Sequence, residues 1–178
     1  VYKISGPVIS EAYTHNNFDL IEEIYKRSSL NHFIIGGLIL CGIIANLNNL
    51  MHLLPPEYAN IEWVIIIIGA GYLFQLLSGL NGGIILNSDY YRYDFLFTSI
   101  FIATAIGLNY WLIPIYDITG AAVATACAII FYNLMKVIFV QICFVMQPYQ
   151  WQMIPVFIIG AVTLIITFQI PFIANPLC

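Results

Sequence analysis

AIIFYNLMKVIFVQICFVM, Ala128 to Met146, is a run of hydrocarbon-like side chains interrupted by one lysine, Lys136. Without that lysine it would read as a plain membrane span. A hydrocarbon core about 30 Å thick takes about 20 residues of helix at about 1.5 Å of rise each. The surroundings of Lys136 therefore decide both the fold and the question of what a cation does there.

The rest of the chain is of the same kind. Of 178 residues, 61% are hydrophobic and 8% charged, whereas an ordinary soluble domain is about 25% charged. The chain reads as an integral membrane protein. Its formal net charge of −4 rests on nine acidic and five basic residues. So few bases exclude a nucleic-acid surface. Four cysteines, Cys41, Cys127, Cys143 and Cys178, form no CxxC. The first three lie in apolar runs, where cysteine behaves as a small hydrophobe, so neither a disulfide nor a metal site is read. No cofactor is implied. The chain opens on Val1 without a signal peptide and stops at Cys178 just after an apolar run; it reads as an internal or C-terminal piece of a longer protein.

Five stretches are long and apolar enough to span: Leu30–Leu54, Ile61–Leu86, Phe95–Ile115, Ile118–Met146 and Ile154–Ile173. Helix is expected for each, because a spanning segment must satisfy its backbone hydrogen bonds internally. The connections LPPEYAN, NSDYYRYD, PIYD and QPYQWQ are short. Aromatics gather at the ends of the runs, at Trp63, Tyr90, Tyr91, Tyr93, Tyr110, Trp111, Tyr149 and Trp151, as an interfacial belt requires. Before the first span, NNFDLIEEIYKRSS (Asn16–Ser29) sets Phe18, Ile21, Ile24 and Tyr25 on one helical face and Glu22, Glu23, Lys26 and Arg27 largely on the other. It reads as an amphipathic helix lying on the membrane surface. The expected fold is all-α: about five transmembrane helices over residues 30–178, preceded within residues 1–29 by a cytoplasmic amphipathic helix.

With alternating spans, Lys3, Lys26, Arg27 and Arg92 share one side, which the positive-inside rule makes cytoplasmic. Glu57, Glu62 and Asp117 fall outside, and Lys136 lies in the inner half of the fourth span. Three stripes suggest helix contacts by helical spacing: Gly71, Gln75, Ser78 and Gly82 with Asn81 beside them; Gly42, Asn46 and Asn49; and Gly120, Ala124 and Ala128, whose small side chains let a second helix approach.

Three segments carry a family resemblance: PVISEAY with the amphipathic helix after it, NGGIILNSDYYRYD, and IPIYDITGAAVATACAIIFYNL. In them the chain resembles the C-terminal half of a bacterial polysaccharide exporter of the MOP flippase superfamily. The resemblance implies two pseudo-symmetric bundles rocking about a central cavity, with the N-terminal bundle of the same protein lying outside these 178 residues and Val1–Ala12, at the start of residues 1–29, as the end of a preceding span. It also implies a bacterial inner-membrane, multi-pass protein that flips an undecaprenyl-diphosphate-linked oligosaccharide among membrane lipids. A cation-coupled multidrug exporter of the same superfamily is the alternative. A membrane glycan polymerase is the alternative from another class, and the large arginine-bearing outer loops that would favour it are absent.

No cluster of nucleophiles or titratable groups suggests an enzyme; His15, His32 and His52 are too scattered for a relay or a metal pair. No acid falls in the interior of a span, which favours anionic cargo over cationic. Lys136 is about 15 Å from the inner end of its helix at about 1.5 Å per residue, near the limit of what its stem can snorkel. The readings left open are snorkelling, a cavity-facing cation holding a diphosphate head group, and a structural pair with a carbonyl. Tyr132 and Asn133, one turn back, either bond sugar hydroxyls or pack helices. Gln75, Ser78 and Asn81 either hydrate a cavity or glue helices together. Arg92 is expected to pair locally with Asp89 or Asp94, or to meet lipid phosphate.

Overall fold

Asn17 begins the longest uninterrupted helix of the N-terminal half: its side-chain oxygen accepts the amide hydrogen of Leu20 at 3.2 Å, which satisfies one of the donors a helix start leaves free. In the computed structural model, which describes residues 2–53, 55 and 61–169, with the side chains of 2–4, 48 and 167–169 left aside, this helix is α2, Phe18–Ala45. It is preceded by α1 (Tyr2–Thr14) and followed by α3 (Leu47–Leu53), α4 (Glu62–Leu77), α5 (Asn81–Leu86), α6 (Tyr91–Phe144) and α7 (Met153–Gln169). Every element among the described residues is a helix. Glu57, Cys178 and the end of the fifth expected span, 170–173, lie outside the described residues.

The amphipathic helix expected over Asn16–Ser29 is not an element of its own. It is the first half of α2, which runs straight through the expected 29/30 boundary, because no proline or turn residue interrupts the chain there. Its apolar face, expected on a membrane surface, turns largely into the protein, with Phe18 left exposed. Ile21 and Tyr25 are buried with Ile9, Leu80, Ile84, Ile85, Val140 and Met146, forming a core where α1, α5 and the ends of α2 and α6 meet. The four charges on its outer face pair along the helix, Lys26 with Glu22 at 2.5 Å and Arg27 with Glu23 at 2.7 Å. Farther on, the Gly42, Asn46, Asn49 stripe is exposed among the described residues: a Cβ on Gly42 would meet none of them within 4 Å, and Asn46 donates its amide to Gly42's own carbonyl at 2.9 Å.

The second expected span is broken. α4 ends at Leu77, and Gly79 turns the chain with φ of +65°, a conformation that glycine adopts without steric cost. Glycine is also required by space, since a Cβ there would stand 2.9 Å from the Cβ of Ser29. Ser29 in turn donates its hydroxyl to the carbonyl of Leu77, one of those a helix end leaves unpaired. A neighbouring helix thus caps the break. Upstream, α4 crosses α6 closely at Gly71, whose missing Cβ would be 3.0 Å from Cα of Ala126.

α6 holds the third and fourth expected spans as a hairpin. At Asp117 the backbone leaves the helical region, with φ 49° and ψ −131°, so that arms 91–116 and 118–144 fold back on each other. Ring pairs Phe97–Phe139 at 5.3 Å and Phe101–Tyr132 at 5.0 Å mark their antiparallel register. Gly120, Ala124 and Ala128 are all buried, as their spacing predicts, and so are Ala122 and Ala126. The second arm is therefore enclosed on more than one side. Ala124→Leu is expected to lower thermal stability by about 1–3 kcal/mol through overpacking. Unchanged melting in detergent micelles would show that the face is open.

Outward-facing side chains are mostly apolar, among them Ile35, Leu38, Ile102, Ile106, Ile159 and Val162. An aqueous surface would disfavour so continuous a cover. α2 and α6 are long and apolar enough to cross a membrane, and α4 and α7 are shorter apolar helices.

Candidate functional site

Lys136 sits on the inner side of the second arm of α6 and is 3% exposed. The arms' register brings it opposite the first turn of the same helix, where its ammonium lies 2.7 Å from Oδ1 of Asp94. The negative charge of Asp94 is also well placed with respect to the dipole of the helix it begins. One turn back on its own arm, Tyr132 accepts a hydrogen bond from Nζ of Lys136, and its ring lies 4.2 Å from the same atom. Tyr132 reaches back to the first arm, its hydroxyl 3.5 Å from Oγ1 of Thr98. On the remaining side is Gly82 of α5: a Cβ there would stand 3.1 Å from Nζ. Glycine leaves the ammonium its room.

The ammonium is neither snorkelling nor paired with a carbonyl. It ends inside the protein on a carboxylate. The sequence places Asp94 in a loop beside Arg92, but the hairpin carries it to Lys136, so an acid does reach into the bundle. The pair tolerates burial because each charge meets the other, with the Tyr132 hydroxyl as a second partner for the ammonium. Asp94, at 24% side-chain exposure, keeps one flank open.

The other expected site residues divide. Tyr132 belongs to the cluster. Asn133 is buried, but its amide donates to Ile129's carbonyl on its own helix at 2.9 Å. Asn81 is buried next to Gly82, whose amide hydrogen its Oδ1 accepts at 2.6 Å; among the described residues its Nδ2 has no hydrogen-bond partner. Ser78 donates back to Phe74's carbonyl at 2.9 Å. Gln75 is exposed. The break at Gly79 is the reason that Gln75, Ser78 and Asn81 do not form one polar stripe.

Asp94 and Thr98 are the members that sequence spacing does not reveal, and the stripe that named Gly82 gave no link from it to Lys136. Only the hairpin register could have linked Asp94 to Lys136, at a separation of 42 residues. Arg92 stacks instead on Tyr91, its guanidinium 5.8 Å from the ring centre. Asp89 takes the hydroxyl of Tyr13 at 3.0 Å, tying α1 to the turn after α5. Burial, with a contribution from the Asp89 carboxylate, pushes the Tyr13 phenol up.

Among the described residues no group of three His, Cys, Asp or Glu could hold a metal, and Cys41, Cys127 and Cys143 are free thiols. Three surface grooves lie away from the cluster, lined in part by Phe33, Tyr149 and Phe157, by Ser10 and Asn87, and by Trp111 and Pro114. What the cluster offers chemically is one positive charge, held by a carboxylate and a phenol at the meeting of three helical segments. No protein-family model, curated protein or solved structure matches this chain.

Proposed function

We propose that the chain is the C-terminal bundle of a lipid-linked oligosaccharide flippase of the MOP superfamily in a bacterial inner membrane. In this reading α2, α4 with α5, the two arms of α6, and α7 are five membrane spans. The ends of α2 and α6 that form the core with α1 and α5 face the cytoplasm. The cargo is an undecaprenyl-diphosphate-linked glycan, moved by alternating access without covalent chemistry, and the chain is not an enzyme.

The observation that carries the reading is Lys136, the only buried cation among the described side chains, within a helical bundle of apolar exterior. An ionisable group in such a place marks a substrate pathway more often than a packing device. Two of the segments behind the resemblance supply its setting. Gly82 of NGGIILNS lies beside the ammonium, and Gly120, at the head of GAAVATA, lets the hairpin that carries Lys136 close.

In the full-length protein, in cells exporting the glycan, Lys136→Gln is expected to cut translocation of the lipid-linked unit to the outer leaflet about tenfold or more, with the membrane level of the protein unchanged. Lys136→Arg retains more, since both basic side chains can meet a phosphate. Normal export by Lys136→Gln would sink the reading. The cation-coupled drug exporter gains one specific observation, the Asp94 carboxylate inside the bundle. It is distinguished by a loss of cationic-drug efflux in Asp94→Asn with glycan export intact.

A further inference from the structure

Resting on the flippase reading, we infer that Asp94 is the internal counter-anion of Lys136, and that an isoprenoid-linked phosphate group engages the ammonium only by displacing the carboxylate. The geometry has three parts. Nζ of Lys136 is already in contact with an anion, Oδ1 of Asp94 at 2.7 Å. It is also held by the hydroxyl of Tyr132, one turn back on the same arm. Gly82 brings no side chain to the ammonium, the one flank where a Cβ would stand within 3.1 Å of Nζ. Beside it Asn81 keeps a buried amide donor without a hydrogen-bond partner among the described residues, a group suited to a phosphate oxygen once the bundle opens.

The exchange has a physical rationale. A buried ammonium is costly without an anion, so the empty transporter carries its own. Asp94 is the partner better able to leave, being 24% exposed where Lys136 is almost wholly enclosed. A diphosphate carries more than one negative charge and several acceptor oxygens, and so replaces the carboxylate with stronger charge-assisted bonds. A neutral lipid offers nothing to drive the exchange. Asp94 thereby acts as a specificity filter: it holds the site closed to uncharged lipids and lowers the apparent affinity for the charged one by the fraction of time that it occupies Lys136.

The experiment is calorimetric titration of the 178-residue chain in detergent micelles with farnesyl diphosphate, with farnesol and inorganic diphosphate as comparison probes. Farnesyl diphosphate is expected to bind, Asp94→Asn to tighten it about tenfold, Asp94→Glu to behave as wild type, and Lys136→Gln to weaken it about tenfold or more whether or not Asp94 is changed. An Asp94→Asn affinity equal to or weaker than wild type, with Lys136→Gln still impaired, overturns the counter-anion role and leaves the flippase reading standing. Full affinity in Lys136→Gln removes the flippase reading itself and this inference with it. Farnesol binding as tightly as the diphosphate overturns recognition of phosphate, and inorganic diphosphate binding as tightly overturns recognition of the lipid. Should Asp94→Asn fold poorly alone, farnesyl diphosphate and not farnesol is expected to restore its thermal transition; failure to restore it counts against the inference.

Discussion

Gly120→Ala is expected to lower the stability of the bundle by about 3 kcal/mol or more, the upper end of what overpacking a tight site costs. A Cβ at residue 120 would lie 2.3 Å from the carbonyl oxygen of Leu112 and 2.7 Å from its carbon. Both are backbone atoms of the opposite arm of α6, so no side chain can swing aside. The only relief is to part the arms, and with them the contacts of Phe97 with Phe139 and of Asp94 with Lys136. Gly107→Ala is the matched control, because its Cβ would meet open space and alanine is the better helix former. Thermal unfolding of the two variants in the same micelles checks the expectation. Equal melting would mean that the arms are not in contact at the turn.

The second large effect belongs to the buried pair, and it is asymmetric. Asp94→Leu leaves the Lys136 ammonium enclosed without its anion, at a cost of about 3–5 kcal/mol. Lys136→Met leaves the carboxylate instead. Asp94 is the more exposed partner and can draw water, so this loss is smaller, about 1–3 kcal/mol. The double variant Asp94→Leu with Lys136→Met removes both charges together and is expected to melt close to wild type or above it, since apolar replacements of buried ion pairs are often neutral or stabilising. Denaturation of the four proteins side by side gives the coupling. Additive losses in the double variant would show that the two groups do not interact. If the double variant folds well and yet fails to bind farnesyl diphosphate, the pair is present for recognition rather than stability.

By itself the sequence determined that this chain is helical, apolar on the outside, and marked by one cation of unusual setting. Runs of about 20 apolar residues without period-2 alternation favour helix, the form that satisfies a spanning backbone within one segment, and amphipathic spacing made Ile21 and Tyr25 one face of a helix. It also located the small-residue spacing of Gly120, Ala124 and Ala128, because close helix approach needs small side chains wherever it happens. The tertiary structure alone decided what those features meet. Nothing local stops α2 at Ser29, so the amphipathic segment and the helix after it became one, with its apolar face in the protein core. Gly79 broke the second run because a neighbouring serine was there to cap the freed carbonyl of Leu77, a partner 48 residues away. Lys136 found Asp94 because a single residue, Asp117, reverses the chain. Pairing between arms depends on where that reversal falls, and the residues on either side of the pair carry no record of it.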